Sequence, residues 1–243
     1  MGFSTYSESR AEVSSLDFSK IMRAVYLWLA IGLSVGFGIA LMMRTAGQAA
    51  IASGDPTKFA LFSPGVMLVT GIAYIVLAIA FQPLVMRSKP AIGSVLYLAL
   101  TVVFGLMISV TLTFYSDRAI IAAFAATAGM FGVMSILGYT TKMDLSKIGS
   151  VLIMALIGLV IASIINIFLK SPALYWLITY AGVIIFAGLT AWDTQKIKQT
   201  AAEVAVTNDG AMAQRVALIG AFTLFLDFVN LFLYLLRIFG SRD

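Results

Sequence analysis

Apolar residues run through this chain in seven long stretches, separated by short polar or charged breaks. They cover approximately Ala24–Met43, Pro64–Met86, Ala91–Ser116, Ala119–Thr141, Gly149–Leu169, Ala173–Asp193 and Val216–Leu236. Each reaches or exceeds the ~20 residues that a helix needs to cross a bilayer. The pattern predicts an all-α membrane protein, a single seven-transmembrane-helix bundle over residues 24–239. A polar N-terminal tail at 1–23 and a short C-terminal tail at 240–243 flank it. Only Ile51–Ser63 and Thr194–Gln214 are long connections, and neither can hold a soluble domain. The prolines, Pro56, Pro64, Pro83, Pro90 and Pro172, are expected in or beside connections, where a missing N–H costs least. Small residues four apart, as in Gly32-x-x-x-Gly36, would let helices approach closely. No internal repeat is evident, which argues against an inverted-repeat transporter.

Composition agrees with the pattern. Of 243 residues, 61% are hydrophobic and 11% charged, and mean hydropathy is +1.01, whereas a soluble domain carries about 25% charged residues. The first twenty residues lack the basic, apolar and cleavage regions of a signal peptide, and Met1-Gly2 followed by Tyr6 does not fit a myristoylation signal. Seven spans put the termini on opposite sides. With the N-terminus cytoplasmic, that side holds ten Lys and Arg residues and the other six. The excess predicts N-inside, C-outside.

The absences narrow the chemistry. The chain has no cysteine and no histidine, which removes disulfides, thiol nucleophiles, zinc fingers and His-based proton relays. A metal site would rest on oxygen ligands and favour hard cations such as Ca²⁺. Asp227 is the lone charge in the run Val216–Leu236, about eleven residues in, or roughly 16 Å along a helix. A carboxylate there costs on the order of 2.5–3.5 kcal/mol on insertion scales, so it normally faces a cavity or a partner. Asp193 closes the sixth stretch in GLTAWDTQKIK. The two meet only if the sixth helix runs past Asp193 or the seventh begins late. If they meet, they cannot both ionise cheaply and would share a proton. Deprotonated, they would offer up to four oxygens to a cation, leaving waters, carbonyls and amides to complete the six to eight that calcium takes.

Other polar residues have simpler readings beside functional ones. Asn230 lies one turn beyond Asp227, on the same face, and Asn166 lies deep in the fifth stretch. Either supports the pair or makes an interhelical hydrogen bond. Arg87 and Lys89 follow the second stretch on the same predicted side as Asp193, as partners for it or as positive-inside anchors. Asp144 or Ser146 most simply caps the fifth helix. Trp28, Tyr175, Trp176 and Trp192 fall near stretch ends, as interfacial aromatics do.

The stretch Ala126–Lys198, with GYTTKMDLS and GLTAWDTQKIK, followed by LDFVNLFLYLLRIFG, resembles the Bax inhibitor-1 family, also called the transmembrane Bax inhibitor motif family. The resemblance implies a seven-helix bundle with the last helix central. It also implies a pH-sensitive calcium leak gated by an aspartate pair, here Asp193 and Asp227, with Arg87 in the place of an arginine latch. Some relatives carry a glutamate in the second span, whereas Pro64–Met86 has no acid. Bacterial relatives also include regulators that bind a membrane protease.

Three classes follow from these residues. The leading one is a proton-regulated cation leak of the bacterial inner membrane, with Ca²⁺ and protons as its ions, Asp193 and Asp227 as possible Ca²⁺ ligands, and no resident cofactor. The alternative is a non-transporting regulator that binds a membrane protease or another membrane complex. An intramembrane aspartyl protease is disfavoured because Asp227 follows Phe225-Leu226 rather than the Gly-x-Gly of that family. A retinal protein lacks its Schiff-base lysine in the last stretch. No enzymatic activity and no nucleic-acid partner are expected.

Overall fold

The computed structural model describes the backbone of residues 3–240 and the side chains of residues 18–240. The expectations for Met1-Gly2 and for most of the C-terminal tail therefore lie outside the described residues. Among those described, all regular structure is helical. The helices are α1 (Phe3–Ala52), α2 (Pro64–Arg87), α3 (Pro90–Thr113), α4 (Asp117–Thr140), α5 (Ser146–Leu169), α6 (Pro172–Thr207) and α7 (Gly210–Phe239). Seven helices are long and apolar enough to span a membrane.

The differences from the sequence pattern lie mostly at helix ends. α1 begins well before Ala24, and α6 runs past Asp193 to Thr207. The expected long connection Thr194–Gln214 is therefore almost all helix, broken only at Asn208-Asp209. Apolarity stops at Asp193, but good helix formers continue the hydrogen-bond ladder. The other long connection folds into two single-turn 3₁₀ helices, Pro56–Lys58 and Ala60–Phe62. Pro64, Pro90 and Pro172 open helices, where their fixed φ is an advantage. Pro83 departs from expectation: it lies inside α2, in its last turns. So near the C-terminus, it costs the helix one bond rather than its continuity.

The chain forms two compact units, Met1–Phe114 with Gln199–Phe222, and Tyr115–Lys198 with Thr223–Asp243. In the first, α1 packs on α3. Tyr97, fully buried, donates its hydroxyl to the Trp28 carbonyl at 2.8 Å. A Cβ on Gly32 would overlap that hydroxyl, and one on Gly105 would collide with the Gly36 carbonyl. The small-residue spacing on α1 is thus a contact surface. Arg44, expected beyond the first span, is buried within α1 and donates to the Leu112 carbonyl at 2.9 Å. Arg215 holds the α2–α3 turn, its Nε and Nη2 donating to the Ser88 carbonyl at 3.3 and 2.9 Å.

In the second unit, Phe124 and Phe131 of α4 meet Phe228 of α7, with ring centroids 5.5 and 5.4 Å apart. Phe186 of α6 stacks on Tyr234 of α7 at 5.8 Å. Trp192 sits midway along α6, its indole over Gly149, where no Cβ would fit. Gln195 clamps the α4–α5 connection: its Oε1 accepts from Leu145 N at 2.8 Å and its Nε2 donates to Met143 O at 2.7 Å. Asp144 accepts from Ser146 N at 2.9 Å, whereas Leu145 holds the cap position of α5 without a side-chain bond.

Candidate functional site

Whether the two aspartates meet depends on how α6 ends, and α6 does not end at Asp193. The segment DTQKIKQT carries the helix onward, with Lys198 donating to the Tyr139 carbonyl at 2.7 Å and Lys196 5.2 Å from the Trp192 ring. These lysines use their stems and aromatic neighbours to hold charge beside apolar surface. The helix stops at Asn208, which takes the left-handed conformation (φ 58°). Asp209 then starts α7 by accepting from Ala211 N and Met212 N at 2.9 and 3.0 Å, an N-cap of the usual kind.

Within the second unit α6 and α7 run antiparallel. Phe186 faces Tyr234, and one to two turns further along α6 the carboxyl group of Asp193 meets that of Asp227. The two groups lie close enough to interact directly. An ionised carboxylate only accepts, so a bond between two carboxyls requires a proton on one of them. Asp227 is 5% exposed, and its Oδ2 has no partner among the described residues. Asp193 is half-buried. The pair joins a buried acid to one nearer the surface, and a hydrogen bond between them would take one proton.

The same unit holds other buried polar atoms lacking a hydrogen-bond partner, Thr194 Oγ1 and Ser135 Oγ. Such groups are rare in folded proteins and commonly mark water or ion positions. Thr190, fully buried, satisfies itself on the Phe186 carbonyl at 2.8 Å. Sequence reasoning passed over these hydroxyls. The signal was the run Thr190-Ala-Trp-Asp193-Thr194, polar groups recurring on one helical face.

Of the other expected residues, only Asn230 stays beside the pair, one turn along α7. Its Nδ2 donates to the Leu226 carbonyl at 2.8 Å within the same helix. Asn166 is elsewhere, at the far end of α5, where its Oδ1 accepts from Ser171 N at 3.0 Å. It is a turn-forming cap there, neither an interhelical bond nor a neighbour of the aspartates. Arg87 is the exposed last residue of α2, in the first unit, whereas both aspartates belong to the second. No cluster of three or more metal-ligating acids exists among the described residues. Two carboxyls by themselves fall short of a calcium coordination sphere.

Seven apolar helices with one acid buried in the last define an integral membrane protein whose surface meets the bilayer. The family model described as inhibitor of apoptosis-promoting Bax1 matches residues 18–243. The inner membrane protein YbhL of Escherichia coli is 42% identical over 222 residues, which covers 91% of each chain. A protein of Caulobacter vibrioides is 36% identical over 243 residues, covering 96% of this chain and 93% of its own. One of Deinococcus radiodurans is 36% identical over 222 residues, covering 91% and 90%. The chain belongs to the Bax inhibitor-1 family.

Proposed function

We propose that this protein is a proton-regulated cation leak of the bacterial inner membrane, with calcium as its ion and the Asp193–Asp227 pair as its gate. The observation that carries this reading is the approach of the two carboxyl groups to each other on adjacent helices. While one proton is shared, a hydrogen bond ties α6 to α7 and the pair bears a single negative charge. Losing the proton places two like charges in contact where water is scarce, and their repulsion favours separation. The separated carboxylates then present oxygens to a hard cation. Flux accordingly rises with pH. No covalent bond is made or broken, and the protein acts as a channel rather than an enzyme. Its membrane is that named for the YbhL relative, and the lysine and arginine asymmetry puts the N-terminus in the cytoplasm.

Calcium uptake into liposomes containing the purified protein, followed across pH, tests the proposal. Uptake should rise with pH in the natural protein and lose its pH dependence in Asp227→Asn. Identical profiles for the two would sink the reading. A flux-dead variant that keeps its effect in cells would point to a regulator that docks on a membrane protease or other complex.

A further inference from the structure

A second polar site lies in the second unit, away from the aspartates. A cleft of about 330 Å³ is lined by Ser163, Asn166, Ile167, Tyr175, Ile178 and Arg237. Its donors outnumber its acceptors. The Arg237 guanidinium lies 5.7 Å from the Tyr175 ring and 5.1 Å from the Tyr234 ring. It has no hydrogen-bond or ion-pair partner among the described residues. Its planar fork of N–H donors is held in place by two aromatic faces and left without an acceptor. The Asn166 side chain is oriented by Ser171 N, which its Oδ1 accepts, so its amide N–H groups remain to donate. No acid lines the cleft. Lys170, in the turn between Asn166 and Ser171, adds a second cation at this end.

The surroundings are apolar. Ile167 and Phe168 on α5 are 69% and 80% exposed. On α6, Trp176 and Tyr180 stack at 5.7 Å and are exposed as well. Exposed aliphatic residues beside stacked aromatics are what a membrane helix presents where hydrocarbon gives way to headgroups. An arginine with open donors at that level matches an anion that brings its own apolar tail.

We propose that this cleft binds the phosphate headgroup of an anionic phospholipid, with Arg237 as the bidentate donor and Asn166 beside it. Arginine pairs two parallel N–H groups with two phosphate oxygens, the geometry best suited to this anion. The lipid tails lie along Ile167 and Phe168. The site is independent of the proposed gate and stands whether or not the protein conducts.

Native mass spectrometry of the full-length protein in detergent tests it, with phosphatidylglycerol, diacylglycerol and inorganic phosphate as probes. Phosphatidylglycerol should bind about tenfold more tightly than diacylglycerol, the effect of a charge-assisted hydrogen bond. Arg237→Gln should lose that advantage and Arg237→Lys should keep part of it. Equal binding of the two lipids to the natural protein would overturn the proposal without any variant, as would an unchanged preference in a folded Arg237→Gln. Inorganic phosphate binding as tightly as phosphatidylglycerol would make the ligand a soluble anion and overturn the lipid assignment.

Discussion

Helices α5 and α7 are both apolar enough to span a membrane, yet they stand at opposite extremes of burial. In its most apolar window α5 is 6% buried, whereas α7 is 72% buried. The more hydrophobic of the two faces lipid, and the one carrying an acid is enclosed by protein. In water the order would be the reverse. In a bilayer the tails are as apolar as leucine, so hydrophobicity does not drive a helix inward. What selects the buried helix is the polar group that lipid cannot satisfy and the close fit of its large side chains.

The largest effect that could break this contrast is loss of packing. Phe225 and Phe232 of α7 are fully buried, whereas Phe168 of α5 is 80% exposed. Phe225→Ala or Phe232→Ala should cost about 3 kcal/mol through the cavity each leaves. Phe168→Ala should change stability by less than about 0.5 kcal/mol, as a lipid chain takes the vacated space. Equilibrium unfolding in mixed detergent micelles measures both. Equal losses would mean that burial does not distinguish the two helices.

Next comes the acid itself. Asp227→Ala removes the partner of Asp193 and leaves a cavity in the second unit, and should cost about 1–3 kcal/mol. Asp227→Asn keeps a hydrogen-bonding side chain of nearly equal size and should cost less than the alanine. The same unfolding measurement, made on both variants, decides it. Alanine as benign as asparagine would show that the carboxyl–carboxyl contact contributes nothing to holding α6 on α7.

The span count, the class and the unusual place of Asp227 were legible in the sequence because each rests on local information: run length, composition and a charge where charge is costly. Helix ends were less so. Asp193 marks where apolarity stops, and nothing in the residues from Thr194 to Thr207 stops a helix. Arg44 was read as a boundary because it is charged, yet its Nε reaches the Leu112 carbonyl in α3, a contact that no residue near Arg44 announces. Asn166 was grouped with Asp227 for its depth in a span, but depth does not tell which end of a helix faces which neighbour. Its bond to Ser171 puts it at the α5–α6 turn. Arg87 was set beside Asp193 because both fall on the same predicted side of the membrane, whereas Arg87 is the exposed end of α2, and the neighbouring Ser88 carbonyl is met by Arg215 from 127 residues away. Contacts of that separation are not written in local pattern.

Glycines give a smaller, sign-reversing test. A Cβ on Gly149, at the start of α5, would overlap the Trp192 indole, whereas one on Gly158, midway along the same helix, would meet nothing within 4 Å. Gly149→Ala should destabilise by about 1–3 kcal/mol through overpacking. Gly158→Ala should stabilise by up to about 1 kcal/mol by favouring the helix. Thermal unfolding of the two variants would show opposite shifts. Losses at both sites would mean that the lipid-facing side of α5 is covered by something.

The smallest expected effect separates the candidate gate from an ordinary surface acid. Asp144 lies in the connection before α5, outside the membrane-spanning segments. The Ser146 hydroxyl and then the Ser146 backbone N–H hold its carboxyl below the usual carboxylate range, with Lys147 adding to the effect. A carboxylate depressed in the folded state contributes stability above its unfolded pKa, and that contribution is lost as pH falls through the folded pKa. Asp144 therefore takes up its proton at a lower pH than an unperturbed carboxylate does. Asp144→Asn should leave the calcium flux profile where it was, lower stability slightly at neutral pH, and leave it unchanged in acid, where the natural protein has lost the same contribution. Asp227→Asn should flatten the profile. A profile displaced equally by both substitutions would mean that the proton controlling flux does not reside on the α6–α7 pair.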